Sequence, residues 1–550
     1  MPRTPLLRAL AGLAEEHRSA DALGVTPAAL REMRAERSMD RSMDRRTFLA
    51  RTAAVGAGLA AAAALPALRA EASDDTDGVH PVVIVGAGIA GLSAALTLAD
   101  KGIAARVYEA SDRIGGRMYS NTTSWADGQV SEWGGELIDT GHKTIQQLAQ
   151  RFRLNLVDLP KSEPRGTEDT YYFFGGYYPK EEADADFRAV YNATKADLKA
   201  AGYPTTWDTG TDAGRALDAM SLYEWIETRV PGGHASRMGQ LLDVAYNIEF
   251  GAETVDQSAL NLVYLLGYGT SAAAASLFGV SDERYHIVGG NQQLPEAIAA
   301  VLPEPVRLGW RLSAIAQDGG EVRLTFRTGP NGQGPARIVR AERAILTLPF
   351  AVLRTLDRSG AGFDARKEQA ITELGAGRNG KLQLQFTSRY WNQSGPWGKS
   401  NGATYSDTGY QATWEVTRGQ AGASGIMVDY TGGDVTGAIS TNTAYSGTPD
   451  QRVSQAAQGF LGQIEPVFPG LGAQWNGRAT LSVQHRDPNL RLAYSYYRPG
   501  QYSAFGGYEA APQGRIHFAG EHTTQDFQGY MEGGAITGVR AAGEVLSRKQ

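Results

Sequence analysis

Four β-branched residues in a row, Val82-Val83-Ile84-Val85, run without a gap into Gly86-Ala87-Gly88-Ile89-Ala90-Gly91 and then into the helical stretch Leu92 to Leu98. This junction limits the possible folds more than anything else in the chain. An uninterrupted apolar run of this kind suits a parallel strand covered on both faces. Gly86, Gly88 and Gly91 permit a tight strand-to-helix turn and let an anion approach the helix N-terminus, where unpaired N–H groups and the helix dipole favour negative charge. A second strand, Ala104 to Tyr108, ends on Glu109, 18 residues beyond Gly91. A carboxylate at that spacing suits the hydroxyls of a ribose. Strand, glycine turn, helix and acid together predict a dinucleotide-binding unit, with Ile89 and Ala90 at the phosphate end and NAD and FAD equally open.

Several function classes fall away on composition. At 550 residues, 42% hydrophobic, the chain is long enough for two or three domains at roughly 150 residues each. A formal net charge of −6 without long basic runs argues against nucleic acid as the main partner. There is no cysteine, which excludes thiol nucleophiles, cysteine-based metal sites and a cysteinyl bond to a cofactor. No metal cluster stands out, and none is expected.

The first 72 residues read as a leader. Asp44-Arg45-Arg46-Thr47-Phe48-Leu49 precedes an uncharged, Ala/Gly-rich stretch from Thr52 to Leu68, and Ala70-Glu71-Ala72 follows. That order matches a twin-arginine export signal. The 17 residues of the apolar stretch are shorter and less apolar than the roughly 20 a spanning helix requires, so no stable membrane anchor is expected. The sequence therefore predicts a protein handled by the twin-arginine machinery and exported, periplasmic or secreted, in a bacterium. Arg-Ser-Met-Asp occurs twice, at 37–40 and 41–44, leaving Met39 and Met43 as alternative starts.

Beyond Val82, β-branched runs alternate with Ala/Leu-rich helical stretches, the pattern of an α/β protein. The nucleotide-type signals are separated, which predicts a Rossmann-type domain of the GR2 kind assembled from residues 79–140, 281–350 and 511–550. Residues 141–280 and 351–510 form an α+β substrate-binding domain. The first of these inserts reads as mostly helical, with Thr144 to Phe152, Phe187 to Ala201, Ser221 to Arg229 and Arg237 to Phe250 periodic. The second has candidate strands at Lys381 to Phe386, Ala403 to Val416 and Ile426 to Tyr430 and a helix at Arg452 to Ile464. Gly329 to Gly334 reads as a hairpin tip.

What separates NAD from FAD is Ser111-Asp112-Arg113-Ile114-Gly115-Gly116-Arg117, and with it the sequence resembles the flavin amine oxidase superfamily of monoamine oxidases, polyamine oxidases and L-amino-acid oxidases. The resemblance runs over most of residues 80–545. It is carried also by His286-Ile287-Val288-Gly289-Gly290, Val306 to Leu308, Ala341 to Pro349, Asn379-Gly380-Lys381-Leu382-Gln383-Leu384-Gln385-Phe386, Ile516 to Glu521 and Gly529 to Ala535. It implies non-covalent FAD, a histidyl link being the remaining covalent option among eight histidines. Gly116, Arg113 and Arg117 would lie along the pyrophosphate and flavin. Gly134-Gly135 would begin the strand facing the ring, Val306 would belong to the returning segment, and Gly520 with Glu521 would face the ribityl and phosphate part. Met531 would sit near N1 and O2 at the start of the last helix, where the helix N-terminus stabilises an anionic ring.

In the resembled family Lys381 reaches flavin N5 through a water and assists reaction with oxygen, and Tyr530 is one wall of an aromatic cage. The opposite wall falls on Ala493 in an ungapped match through Pro499-Gly500, or on Tyr494 after a shift of one. Phe527 stands where many relatives have tryptophan. Glu136, with Asp139 and His142, is either an anionic wall suited to a second cationic group or a set of hydrogen bonds within a strand end and turn. No arginine matches the carboxylate clamp of L-amino-acid oxidases.

The expected reaction is oxidation of the C–N bond of a primary amine or polyamine: hydride passes from the α-carbon to N5, the imine hydrolyses to a carbonyl, and O2 is reduced to H2O2. An L-amino-acid oxidase giving a 2-oxo acid is one alternative. A dehydrogenase or desaturase passing electrons to a quinone or carrier is another, and a homodimer is an open assembly state.

Overall fold

The computed structural model describes residues 78–267 and 282–547. The leader with its twin-arginine signal and the expected boundary at residues 280 and 281 lie outside the described residues.

The strand Val83–Val85 is buried along its whole length and is an inner member of a four-stranded parallel sheet. Arg106–Tyr108 flanks it on one side, Ala344–Leu346 on the other, and Ile516–Phe518 lies beyond Ala344–Leu346. The register aligns Ile84 with Val107 and Ile345, and Ile345 with His517. Three distant stretches of chain thus build one Rossmann-type sheet, the α/β class that the sequence predicts. Arg307 extends it past Tyr108: its N–H donates to the Val107 carbonyl at 2.9 Å, and its own carbonyl accepts from Glu109 N–H at 2.9 Å.

The helix Ile89–Ala99 is almost wholly buried, between this sheet and the last helix, Met531–Ser547. Glycine allows the two helices to approach: a Cβ on Gly538 would stand 2.1 Å from the Ala90 carbonyl oxygen, and one on Gly534 2.7 Å from Ile89 Cγ2. Apolar residues on all faces are what a helix covered on all faces needs.

A second layer is a five-stranded sheet with an antiparallel centre, Trp310–Gln317, Val322–Thr328 and Ala336–Ala341, the last two joined across the tip at Gly329 to Gly334. Val79–His80 and Asp357–Gly360 pair in parallel at its edges.

The remaining large sheet has eight strands. Asn379–Phe386 is near its centre, between Gly425–Gly432 and Trp475–Val483, with Ala412–Glu415 and Ser400–Ser406 further along. The first insert is less purely helical than its periodicity suggests, because Glu168–Phe173 and Gly176–Tyr178 complete this sheet. Both are aromatic-rich, and their partner, Ser400–Ser406, lies more than two hundred residues on, so local pattern alone does not show the pairing. Helices Lys143–Arg151, Lys180–Ala201, Leu222–Arg229 and Arg237–Phe250 occupy the stretches read as helical. Among the described residues no helix is long and apolar enough to cross a membrane.

Candidate active site

A cavity of about 600 Å³ runs from Glu109 at one end, past the glycine turn, to Lys381, Trp414 and Tyr530 at the other. Its first half is backbone. Gly86 has φ +104°, and a Cβ there would stand 2.3 Å from Thr347 Oγ1. Gly115 and Gly116 also have positive φ, and a Cβ on Gly116 would press to 3.3 Å from Gly88 Cα. The helix beginning at Ile89 has Gly88 as its N-cap, with no side chain to occupy the first amides, so those N–H groups face the cavity as an anion site. Glu109 is fixed by Ala87 N–H at 2.8 Å and by Ser111, whose N–H and Oγ each donate at 2.9 Å. Arg113 donates to the Gly116 carbonyl at 2.9 Å and stacks 3.9 Å from the Tyr119 ring centroid, which stiffens the second glycine turn.

The C-terminal segment closes on this turn through charge. Arg117 Nη1 donates to Glu521 Oε1 and to the Ala493 carbonyl, both at 2.9 Å. Ser495 Oγ and Gly529 N–H each donate to Glu521 Oε2 at 2.7 Å. Burial alone would raise the Glu521 carboxyl, but the Arg117 guanidinium and the Ser495 hydrogen bond hold it at about 2, an ionised group in all ordinary conditions. Gly520 and Met531 line the cavity beside it.

Gly134 and Gly135 do line the cavity, but they do not begin a strand. The strand there is Ser131–Glu132, and the glycines follow it in irregular backbone. The reason is the close approach of Arg117: its carbonyl accepts from Gly135 N–H at 2.8 Å and would stand 2.1 Å from a Cβ on Gly134. Gly135 also lets the Met531 thioether pack against it, since a Cβ there would be 3.0 Å from Sδ.

The period of two along Asn379–Phe386 divides its side chains between two faces. Leu382, Leu384 and Phe386 enter a core beneath the helix Gln451–Ile464. Lys381, Gln383 and Gln385 point the other way, and Gln383 donates to the Glu132 carbonyl at 3.0 Å. Lys381 Nζ meets Glu136 Oε2 at 2.6 Å, and Glu136 Oε1 accepts from Trp414 Nε1 at 3.0 Å. Both members of the ion pair are 8% exposed. Glu136 therefore faces the cavity, whereas Asp139 donates its N–H to His142 Nδ1 at 2.9 Å within its own turn and accepts from Glu283 N–H at 2.9 Å through Oδ1, tying that turn to the segment that carries Glu283.

Beyond Lys381 the walls are aromatic and acidic: Tyr405, Trp414, Tyr430 and Tyr494, with Glu249 and Glu283. Glu283 has φ +35° and is exposed along the cavity it lines; desolvation by the protein around it pushes its carboxyl up to about 7 against the pull of Arg418. The lining arginines are Arg113, Arg117, Arg311 and Arg491. The first two are held as above, and Arg311 lies within the fields of Asp487, Arg491 and Glu109, at the nucleotide end.

Several expected positions lie elsewhere. Phe527 is outside the cavity, buried with its ring 5.8 Å from His142, so its apolar bulk fills core. Val306 does not line the cavity but packs half-buried against the nucleotide core. Gly91 sits beneath the turn, where a Cβ would stand 1.9 Å from the Gly86 carbonyl oxygen. Ala493 and Tyr494 both line the cavity, Ala493 buried and Tyr494 packed with the cluster containing Trp414 and Tyr430. Tyr530 does so too, its ring 4.9 Å from His142.

Sequence reasoning missed Trp414, Tyr430, Glu249 and Glu283, which belong to no local motif. It also missed Asn291, which has no solvent exposure. Its side-chain N–H groups donate to the carbonyls of Gly135 at 3.0 Å and Glu136 at 2.7 Å, and its backbone N–H donates to Glu132 Oε1 at 2.7 Å. Burial raises Glu132 to about 8. An asparagine directly after Gly289-Gly290 was the available signal, being the residue type that ties turns.

The cradle fits FAD. Backbone amides and glycine surfaces would take the pyrophosphate, Glu109 the ribose, Glu521 with Arg117 the middle, and Gly135 with Met531 the ring. Comparison with known proteins agrees. Residues 89–546 match the model of the flavin containing amine oxidoreductase family. An L-amino-acid oxidase of Mus musculus is 23% identical over 483 residues, covering 84% of this chain and 70% of that one. A flavin-containing amine oxidase of Danio rerio is 24% identical over 500 residues, 86% of each chain. The solved cyclohexylamine oxidase from Brevibacterium oxydans IH-35A superimposes with a TM-score of 0.72 at 22% identity, over 86% of this chain and all of that one. With the family model running from the helix that follows the first glycine turn to the closing helix, the chain belongs to the flavin containing amine oxidoreductases and is an FAD-dependent oxidoreductase acting on CH–NH2 donors.

Proposed function

We propose that the protein is an oxidase of primary amines or polyamines, using O2 and releasing H2O2. The observation that carries this is the far end of the cavity: Glu249 and Glu283 stand among aromatic rings, and no arginine among the described lining residues is placed there to hold a substrate carboxylate. Carboxylates and ring faces attract ammonium groups. FAD, when bound, accepts the hydride from the substrate α-carbon and passes the electrons to O2. The protein orients the amine, excludes water and supplies charge. Tyr530 and Tyr494 flank the approach, and Lys381 places a cation where negative charge develops on oxygen. An amine must shed its proton before it can react. Glu283, near 7, is matched to take that proton at neutral pH.

The alternative is an L-amino-acid oxidase, the activity that the mouse relative's name carries. A peroxide assay over a panel of amines, diamines and L-amino acids distinguishes them: response to amines supports the proposal, and 2-oxo acid formation with silence on all amines overturns it. Transfer to a quinone in place of oxygen would appear as fast reduction by amine with reoxidation that is slow in air and unchanged in Lys381→Met.

The leader's Arg45-Arg46 supports a further proposal, export by the twin-arginine route. Replacing both by lysine should leave the protein inside the cell.

A further inference from the structure

The Glu136 carboxylate has two partners that belong to different tasks. Oε2 holds Lys381, the cation assigned above to reaction with oxygen; Oε1 holds the indole N–H of Trp414, a wall of the amine end. The three groups come from three elements: the irregular segment after Ser131–Glu132, the strand Asn379–Phe386 and the strand Ala412–Glu415. The Lys381 ammonium also lies 5.4 Å from the Trp414 ring centroid. The backbone that carries this carboxylate is itself held, because the Asn291 side chain donates to the Glu136 main-chain carbonyl at 2.7 Å and the Asn291 N–H to Glu132 Oε1 at 2.7 Å.

We propose that Glu136 is a positioning residue joining the oxygen-side lysine to the substrate-side indole, so that the geometry of each depends on the other. The argument is physical. A lysine side chain has four rotatable bonds and one compact charge, and it holds a position only where a counter-charge fixes it. A buried ammonium and a buried carboxylate are each costly alone and tolerable together when the remaining hydrogen-bonding capacity is also used. Here Trp414 uses it. With the second oxygen bonded to the indole, the carboxylate cannot rotate to follow Lys381 without releasing the wall. The pair therefore sets where the ammonium sits, and the ammonium strengthens the indole hydrogen bond by polarising its acceptor and holding it in orientation.

This inference rests on the oxidase reading for what Lys381 does, but its test needs no amine. The chain has nine tryptophans, so protein labelled with 15N at the indoles gives a spectrum simple enough to assign the Trp414 N–H by its loss in Trp414→Phe. In Lys381→Met that resonance should shift, although the lysine does not bond to it, and in Glu136→Gln it should move as a neutral acceptor replaces a charged one. In parallel, the holoenzyme is reduced chemically and mixed with oxygen. Reoxidation in Glu136→Gln should slow about tenfold, the order expected on losing one charged hydrogen bond, at unchanged FAD content. Glu136→Asp, which keeps the charge on a shorter arm, should recover part of that loss. A Trp414 resonance unmoved in Lys381→Met overturns the coupling. Wild-type reoxidation in FAD-replete Glu136→Gln overturns the positioning role. Should Glu136→Gln fail to hold FAD, the Lys381→Met spectrum, which can be taken on the apoprotein, still decides.

Discussion

Arg117 and Glu521 are separated by 404 residues of sequence, yet Nη1 of one lies 2.9 Å from Oε1 of the other, pinning the second glycine turn to the segment that closes the cofactor cavity. Glu521 is 3% exposed, and its folded value of about 2 lies below the 4.5 of an unconstrained glutamate. A depressed carboxyl contributes stability that is complete above pH 4.5 and is lost as pH falls through about 2. Glu521→Gln should therefore flatten the acid limb of the stability curve. At neutral pH it should cost about 3 kcal/mol, the lower end for breaking a buried pair, because Arg117 is 23% exposed. Thermal melts from pH 2 to 7 check both.

The glycine turn predicts a graded series. Gly91→Ala would place a Cβ 1.9 Å from the Gly86 carbonyl oxygen, forcing the turn and helix apart at a cost of about 1–3 kcal/mol. Loss of FAD on gel filtration, read as the ratio of flavin to protein absorbance, should accompany it. Gly543→Ala, in the last helix with no atom within 4 Å of its Cβ, should instead stabilise by about 1 kcal/mol and retain FAD in full.

Glu283 should appear in the pH dependence of turnover. A base near 7 must be deprotonated to act, so kcat/KM for an amine should fall as pH drops below that value. Glu283→Gln should lose this inflection and about 10²-fold in rate. Retention of the inflection in the variant would assign it to another group, the substrate included.

His234 offers a test away from the cavity. It stacks on Tyr223 with centroids 4.0 Å apart and bridges Glu227 at 2.5 Å and Asp243 at 3.3 Å. Burial opposes its charge, but the two carboxylates prevail and raise it above 6.5. A raised histidine contributes stability that is fully present below pH 6.5 and lost as pH rises through its folded value. The gap in Tm between wild type and His234→Gln should thus be widest below pH 6.5 and close in mildly alkaline buffer.

The nucleotide half was legible because its chemistry is written in consecutive residues. Val82 to Gly91 specify strand, turn and helix by themselves, and Arg113 to Arg117 lie in one loop. The amine end was not, because the eight-stranded sheet assembles it from single positions. Trp414 and Tyr430 are ordinary β-formers in sequence, and only the pairing of Ala412–Glu415 with Gly425–Gly432 brings them against Lys381. Glu136 was ambiguous for the same reason: its partners lie 245 and 278 residues away, and its neighbour Asp139 likewise reaches a distant group, accepting from Glu283 N–H. Phe527 was open for a similar reason: an aromatic next to a motif packs equally well inward or outward, and here it is buried with its ring 5.8 Å from that of His142.

The sheet under the cofactor also sets an order of events in synthesis. Val83–Val85 and Arg106–Tyr108 are translated long before Ile516–Phe518 and the helix that covers Ile89–Ala99. Until then the first glycine turn has neither its far strand nor its lid, and one face of its apolar helix lacks its cover. The cofactor cradle is therefore complete only when contacts across almost the whole chain have formed. Such long closures are slow to form, so a nascent chain of this design depends on being shielded for most of its synthesis.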